Sequence, residues 1–151
     1  MKKIVSILVS FILCISLTGV ASAKSNDVES FKKGDTTIYK LMESLQYLSD
    51  WGGEINYRGS GVFLVKGYTE SRNEADKIYV NVALQQYNSS TKKWVTIYSF
   101  DKSLGGTDYV STSKVYGVST GYKYRVYSVH KVTNGSKIET QTAYSEIISA
   151  N

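Results

Sequence analysis

The sequence predicts an all-β protein, an antiparallel β-sandwich of about seven strands, and three observations predict it. From residue 54 to the end, apolar and polar residues alternate, which is the period of a strand with one buried face. Turn-forming residues interrupt the alternation about every 8 to 12 residues, a spacing typical of a sandwich. The longest alternating stretch, residues 121–148, is interrupted once, at Asn134-Gly135, as in a long hairpin.

Ahead of the strands, the chain begins with the features of a secretory signal peptide. Two lysines precede an apolar run over residues 4–17, and Ala21-Ser22-Ala23 supplies the small residues of a cleavage site. The apolar run is shorter than the ~20 residues that cross a bilayer. We therefore expect residues 1–23 to be removed. The protein is then expected to be secreted, with no membrane span, and extracellular or loosely associated with the cell wall.

Export limits the chemistry that the chain can carry out. The single cysteine, Cys14, lies in the signal, so the secreted chain would have no thiol for a disulfide, a nucleophile or a metal ligand. Removal of 23 of the 151 residues leaves 128, enough for one domain, with 16 basic and 13 acidic side chains and a net charge of +3. The chain has few arginines that could bind the phosphate groups of a nucleic acid, so we expect no nucleic-acid partner. They are Arg58, Arg72 and Arg125.

Residues 24–53 are predicted to precede the sandwich as a polar leader followed by a short helix. Over residues 35–51 apolar side chains recur at helical spacing, Asp35 is suited to cap the start, and Gly52-Gly53 is suited to end the helix. An irregular segment packed on the sheet is the alternative. The apolar positions are Ile38, Leu41, Met42, Leu45 and Leu48.

The sandwich domain is assigned to residues 54–151. Each of its predicted strands is rich in β-branched or aromatic residues and is bounded by glycine or by a polar turn. The strands are expected at 54–58, 61–68, 76–87, 93–100, 107–117, 121–132 and 137–148.

A two-residue turn at Asn134-Gly135 fixes a register for the last two strands. In that register His130, the only histidine, faces Glu139 across the hairpin. A serine-type triad would have to use this histidine, but the sequence has no glycine–x–serine–x–glycine motif. A structural pair of His130 and Glu139 is therefore the favoured interpretation. The other predicted pairs are Lys123 with Glu146, Val126 with Ala143, and Ser128 with Gln141.

Cofactor chemistry finds little support in the sequence. One histidine and no thiol leave too few ligands for a zinc site. The residues within 70–76 that could offer oxygen ligands (Glu70, Asn73, Glu74 and Asp76) lack the spacing of a calcium loop, and no phosphate-binding glycine–lysine motif occurs. We therefore predict no metal, no cofactor and no enzymatic activity.

Tyrosine is abundant, with 13 in the chain, and it combines a flat apolar ring with a polar tip. If Tyr87 pairs with Trp94, one face of the hairpin over residues 76–100 is aliphatic, and the other is aromatic with amide side chains. We predict that this second face contacts a ligand; packing in the core is the alternative. The predicted contact residues are Tyr87, Trp94, Tyr98, Tyr79 and Gln85, with Asn81 and Phe100 on the same face. The aliphatic face comprises Ile78, Val80, Val82, Leu84, Val95 and Ile97. A weaker candidate is the face of the last hairpin with Arg125, Tyr127, Val129 and Tyr144.

The segment GYKYRVYSV, which begins at Gly121, resembles strand F of immunoglobulin-like and fibronectin type III domains. Tyr122 or Tyr124 would be the tyrosine that turns the corner into that strand. Residues 80–97 resemble the C–C′ hairpin of the same folds. More narrowly, residues 47–151 look like a family of small secreted proteins of Gram-positive bacteria without an assigned activity. That resemblance implies an exported β-domain and no particular chemistry. It is carried by Gly121, Tyr122, Tyr124, Arg125, Val126, His130, Glu139 and Thr140.

These observations together predict a secreted, non-enzymatic binding or adhesion protein that acts at or outside the cell envelope. The expected partner is a cell-wall polysaccharide or another extracellular protein. One alternative is a self-associating extracellular structural protein. A small secreted hydrolase that uses paired carboxylates is a less favoured alternative.

Overall fold

A computed structural model describes residues 28–33, 36–41 and 45–151, and the side chains from Leu45 onward. The regular elements in these ranges are all β-strands. The predicted signal peptide and the leader up to residue 27 lie outside the described residues. The strands are β1 (Val28–Lys33), β2 (Thr36–Leu41), β3 (Leu48–Tyr57), β4 (Val62–Ala75), β5 (Lys77–Asn88), β6 (Lys93–Leu104), β7 (Thr107–Gly117), β8 (Lys123–Asn134), β9 (Lys137–Ser145) and β10 (Ile148–Ser149).

Two antiparallel sheets pack face to face, so the predicted all-β sandwich is confirmed. The large sheet has the strand order β1-β2-β9-β8-β5-β6, with β10 paired to β8, and the small sheet has the order β3-β4-β7. From β3 to β9, the seven strands divide between the sheets as strands A, B and E and strands G, F, C and C′ do in an immunoglobulin-type sandwich. The strands β1 and β2 extend the large sheet beyond β9.

The predicted helix over residues 35–51 is wrong, because β2 and the start of β3 occupy this segment. Residues 42–44 lie outside the described ranges. Strand β2 pairs with β9, and β3 pairs with β4, so neighbouring strands satisfy backbone groups that a helix would have satisfied internally. The sandwich also begins earlier than residue 54, since Leu48 and Trp51 are part of its core.

Gly52 and Gly53, which were predicted to end the helix, lie inside β3. A Cβ atom at Gly53 would lie 2.7 Å from both Ser128 Oγ and Val126 Cγ1, which belong to β8 of the opposite sheet. Any larger residue would force the two sheets apart. Glycine is therefore required here by the close approach of the sheets.

The core lies between the two inner faces, where alternate residues of each strand meet. The even-numbered residues 78–84 of β5 and 124–132 of β8 point inward and are buried, whereas their odd-numbered neighbours are mostly half-buried or exposed. The largest fully buried side chains of the core are Tyr124, Phe63, Leu48, Ile55, Ile78 and Leu84.

Tyr124 is the corner tyrosine of the two predicted candidates. It is fully buried, its hydroxyl donates a hydrogen bond to the carbonyl oxygen of Ser119 (2.7 Å), and its ring packs on Phe63. Tyr122, in contrast, is 47% exposed. The hydrogen bond ties the start of β8 to the preceding loop, as in other sandwiches of this type.

The β8–β9 hairpin turns one residue later than predicted. Asn134 pairs with Lys137, so the two turn residues are Gly135 and Ser136, and Gly135 takes the positive φ (56°) of the first turn position. Asn134 stays in the strand because its Oδ1 accepts a hydrogen bond from the backbone N–H of Asp76 (3.1 Å). The predicted register is wrong by two residues. The faces are unchanged, because side chains alternate with a period of two.

The β5–β6 hairpin pairs Tyr87 with Trp94, as predicted, but a β-bulge interrupts it. The register shifts between Leu84 and Gln85, so that Leu84 pairs with Tyr98, and Ile97 is the extra residue. Beyond the bulge, every residue of β6 changes faces relative to the prediction.

Candidate functional site

Five side chains form a row across the outer face of the large sheet, which we call the aromatic row. The Tyr87 and Trp94 rings pack with 5.2 Å between their centroids. The guanidinium carbon of Arg125 lies 4.3 Å from the Trp94 ring centroid and 4.4 Å from that of Tyr144. At the far end, Tyr144 packs on Tyr127 at 5.1 Å between centroids. An arginine thus lies between two aromatic pairs.

Strand order explains why these residues meet. The four central strands of the large sheet run β9-β8-β5-β6, and each contributes residues to the outer face. Gln85 on β5 pairs with Arg125 on β8, and Tyr127 on β8 pairs with Tyr144 on β9. The row therefore crosses all four strands at one end of the sheet.

Arg125 is held on three sides. Two rings stack against its guanidinium, and its Nε donates a hydrogen bond to Gln85 Oε1 (2.9 Å). The amide of Gln85 in turn donates to Thr96 Oγ1 through Nε2 (3.3 Å). Burial lowers the pKa of Arg125, and Tyr144 acts in the opposite direction. The guanidinium plane is thus fixed before any ligand binds.

Three predicted contact residues, Tyr87, Trp94 and Gln85, lie together on this face. Tyr79 shares the face but lies eight positions from Tyr87, roughly 26 Å along the strand. There the ammonium group of Lys131 lies 5.8 Å from its ring centroid. Burial, followed by the nearby Asp101, raises the pKa of Tyr79. The sequence-predicted platform therefore extends along β5 without being one compact site.

Tyr98 and Phe100 do not lie on the predicted face, so their assignment to it is wrong. The bulge turns them toward the small sheet, where Phe100 is 6% exposed. Tyr98 stacks on Tyr116 of β7, with 4.2 Å between centroids and an 8° angle between ring planes. Tyr98 stays 41% exposed because it lies at the rim of the sandwich.

Two adjoining clefts lie at the end of the β5–β6 hairpin, and we call them the hairpin clefts. The first has a volume of about 490 Å³ and the second about 410 Å³, and Gln86 lines both. The first cleft is lined by Ser60, Gly61, Gln86, Ile97, Tyr98, Gly117, Val118, Ser119 and Tyr124. The second is lined by Gln86, Tyr87, Asn88, Ser89, Ser90, Val95 and Tyr122.

Tyr87 belongs to both the aromatic row and the second cleft, so the two features form one continuous surface. Tyr98, although it lies on the other side of β6, lines the first cleft. The sequence identified both tyrosines but gave no signal for Gln86 or Tyr122. Gln86 and Tyr122 line the clefts because particular strands and loops meet at this end of the sandwich. The hydrophobic periodicity of the sequence does not predict which of them meet.

A third cleft, of about 510 Å³, lies on the small sheet. Its polar groups already bind one another: Lys66 forms an ion pair with Glu54 (3.7 Å), and Lys102 donates to the carbonyl oxygen of Ser111 (3.2 Å). Burial, with smaller effects of nearby Glu54, Tyr109 and Glu70, raises the pKa of Tyr68 to about 12. The other lining residues are Gly67, Thr112 and Ser113. This cleft offers fewer free groups than the hairpin clefts.

His130 is fully buried between the two sheets. Thr69 Oγ1 donates to the carbonyl oxygen of Tyr79 (3.0 Å) and therefore accepts from His130 Nδ1 (2.9 Å). His130 Nε2 lies 2.8 Å from Ser128 Oγ, whose hydroxyl donates to the carbonyl oxygen of Ala143 (3.4 Å). The ring thus joins the two sheets through hydrogen bonds at both nitrogens.

The predicted pair of His130 and Glu139 does not form. His130 lies opposite Gln141, and the Glu139 carboxylate accepts hydrogen bonds from three successive backbone N–H groups, those of residues 46, 47 and 48 (2.8–2.9 Å). Burial raises the pKa of Glu139, but these hydrogen bonds and the charge of Arg72 outweigh it, so the net pKa lies below its usual value. Glu139 thus fixes the start of β3 to β9.

Within the described ranges, no three histidine, cysteine, aspartate or glutamate side chains come together to hold a metal ion. The same ranges contain no helix long and apolar enough to cross a membrane.

Comparisons with known proteins give one structural neighbour to report. No family model matches the sequence, and a search of curated proteins found no match. Among solved structures, chicken MD-1, in a complex with lipid IVa, is 12% identical to this chain. The match covers 83% of this chain and 99% of MD-1, with a TM-score of 0.33. At this score the similarity carries no argument about ligands, and the sandwich is assigned from the sheet topology itself.

Proposed function

We propose that this protein is a secreted, non-enzymatic binding protein that holds a polysaccharide outside the cell. The observation that carries the proposal is the pair of hairpin clefts that share Gln86. Their lining combines exposed tyrosine rings with amide and hydroxyl groups and contains no charged side chain. This is the composition that uncharged sugar rings require, because their apolar faces stack on aromatic rings and their hydroxyls bind neutral polar groups.

Tyrosine exposure supports this function. Tyr98 and Tyr122 are 41% and 47% exposed, and they line different clefts. Their rings are available to a ligand that enters from solvent. The stack of Tyr98 on Tyr116 and the contact of Tyr87 with Trp94 hold two of the cleft rings in place. Rings fixed in advance lose little conformational entropy on binding.

Gln86 lies where the clefts join. Its side chain is half-buried and has no hydrogen-bond partner among the residues that the structure describes. An amide offers two donors and one acceptor oxygen, which suits the paired hydroxyls of a sugar. A chain-like ligand could occupy both clefts and contact Gln86 between them. Each cleft volume lies in the range of small-ligand sites, about 300–1,000 Å³.

The test is affinity electrophoresis of the purified protein in gels that contain soluble polysaccharides, both neutral and acidic. We expect retardation by at least one polysaccharide. The Gln86→Ala and Tyr122→Ala variants should lose most of that retardation, because neither side chain contributes to the core. Matched controls are Gln46→Ala, at an exposed position away from the clefts, and Tyr109→Ala, 44% exposed on the small sheet. Equal retardation of the cleft variants and their controls would contradict the proposal.

Strand β6 favours a second candidate, self-association. It is 12 residues long, it ends the large sheet, and nearly all of its side chains are half-buried or exposed. Such an edge can pair with a second copy. However, Lys93, Lys102 and the bulge at Ile97 are features that discourage edge pairing. Sedimentation velocity at increasing concentration tests this function, which requires a reversible rise in sedimentation coefficient.

A further inference from the structure

The geometry points to an anion-binding site at Arg125, which holds the acidic group of an acidic polysaccharide. The inference rests on the proposed function, since it names the class of polysaccharide that the hairpin clefts would bind. The clefts would hold the sugar rings, and the aromatic row would hold a carboxylate or phosphate group attached to them. Tyr87 belongs to both and connects the two parts of the surface.

The hydrogen bonds of Arg125 leave its anion-binding edge open. The bond to Gln85 uses only Nε, and the two Nη groups have no hydrogen-bond partner among the side chains that the structure describes. These groups form a planar fork that matches the two oxygens of a carboxylate or phosphate. The side chain is half-buried, so the fork is accessible yet partly removed from water. Partial removal from water strengthens its attraction for an anion.

The stacking on Trp94 and Tyr144 makes this fork rigid. An exposed arginine loses considerable side-chain entropy when it binds a ligand. Here the guanidinium carbon already lies 4.3 and 4.4 Å from the centroids of two aromatic rings. Most of the ordering cost has therefore been met in the free protein. An approaching anion then finds the two Nη groups without a side-chain hydrogen-bond partner among the described residues.

The surrounding charges favour an anionic ligand. Odd-numbered residues of β5 and β8 point outward and include Lys77, Lys123 and Lys131 in addition to Arg125. On the outer faces of β9, β8, β5 and β6, the acidic residue is Asp101, which pairs with Asn81, four positions from Gln85. Lys123 lies two positions from Arg125, whereas Lys131 lies six positions from it and Lys77 lies eight positions from Gln85. Positive side chains therefore outnumber negative ones on this face, and Lys123 is the nearest of them along the strand, which favours an anionic polymer over a cationic one.

The test uses polygalacturonate as a carboxylate probe, its fully methyl-esterified form as the uncharged equivalent, and polyglycerol phosphate as a phosphate probe. Binding is measured by calorimetry and by tryptophan fluorescence. Trp94 contacts Arg125, whereas Trp51 is 4% exposed in the core, so ligand at the aromatic row should alter the Trp94 signal. We expect at least one acidic polymer to bind about tenfold more tightly than the methyl ester, with affinity that falls as salt rises.

The variants are Arg125→Gln, Arg125→Lys and a matched control, Arg58→Gln, at an exposed loop position. Arg125→Gln should lower the affinity for the acidic polymer about tenfold, and Arg125→Lys should lower it severalfold, because lysine keeps the charge without the fork. The control should bind like the wild type. If Arg125→Gln does not fold, the comparison of ester with acid on the unaltered protein still decides the question.

The outcomes separate this inference from the proposed function. Equal affinity for polygalacturonate and its methyl ester, with no gain for polyglycerol phosphate, overturns the anion site while the polysaccharide function stands. Loss of acidic-polymer binding in Arg125→Gln, together with unchanged binding in Gln86→Ala, supports the anion site and removes the role of the clefts. No binding of any polymer overturns both.

Discussion

Glu139 provides the most direct test of how β3 is held in place. The perturbation is Glu139→Ala, which removes the acceptor for three backbone N–H groups at residues 46–48 while leaving the β8–β9 ladder intact. Residues 46 and 47 precede β3, and Leu48 is its first residue, so without the carboxylate these N–H groups would depend on water. The substitution therefore exposes the contribution of one carboxylate to the docking of one strand.

The magnitude follows from the number and exposure of these hydrogen bonds. A hydrogen bond to a charged group contributes about 1.5–3 kcal/mol. Two of the three are part-buried and one is exposed, and water replaces part of what is lost. We expect Glu139→Ala to lower the free energy of unfolding by about 2–3 kcal/mol, or to lower Tm by roughly 6–12 °C.

The pH dependence supplies a second signature. Because the folded-state pKa of Glu139 lies below its usual value near 4.3, its stabilisation is fully present above that value and is lost as pH falls through the folded-state pKa. The difference in stability between the wild type and Glu139→Gln should therefore be largest near pH 7 and should shrink below about pH 4.

The assay is urea denaturation at pH 7 and pH 3, with Glu74→Ala as the matched control. Glu74 is exposed, so its removal should change stability by less than about 0.5 kcal/mol. A Glu139→Ala variant as stable as this control at pH 7 would falsify the reasoning. A loss of equal size at both pH values would show that packing, and not the carboxylate charge, is responsible.

Three further predictions concern the core. Gly53→Ala places a Cβ atom 2.7 Å from two buried side chains of β8 and should cost about 1–3 kcal/mol in urea denaturation. Tyr124→Phe removes the hydrogen bond to Ser119 and should cost about 1 kcal/mol without altering the circular dichroism spectrum. In a spectrophotometric titration, one tyrosine should ionise at a pKa of about 12, and Tyr68→Phe should abolish that late step, whereas Tyr109→Phe should not.

Periodicity predicted the fold class because each strand of a sandwich has one buried face. The period of two along β5 and β8 also identified their inward residues correctly, since a buried face tolerates few polar side chains. The prediction failed over residues 35–51. There the helical spacing of apolar residues was outweighed by pairing with β9 and β4, and local sequence does not reveal such distant partners.

The register of the strand pairs was harder to predict than the face of the sheet on which each side chain lies. The turn at Gly135-Ser136 depends on the hydrogen bond between Asn134 and Asp76, which lie 58 positions apart in the sequence. The bulge at Ile97 left the pairing of Tyr87 with Trp94 correct but moved Tyr98 to the other side of β6. Neither feature has a sequence signature that distinguishes it from an uninterrupted hairpin.

Part of the candidate site was predictable from the sequence. Alternation within one hairpin places Tyr87, Trp94 and Gln85 on the same face. The position of Arg125 between Trp94 and Tyr144 requires that β8 lie beside β5, which the strand order of the whole sandwich decides. Residues that come together across sheets or loops, such as Gln86 in the clefts, need the three-dimensional structure.

The enclosure of His130 has a consequence for chemical modification of the protein. The only histidine of the sequence has no solvent-exposed surface, and its two ring nitrogens lie within hydrogen-bonding distance of Thr69 Oγ1 and Ser128 Oγ. A reagent that modifies imidazole groups can therefore reach this ring only when the two sheets separate. The rate of that modification would measure how often the sandwich opens.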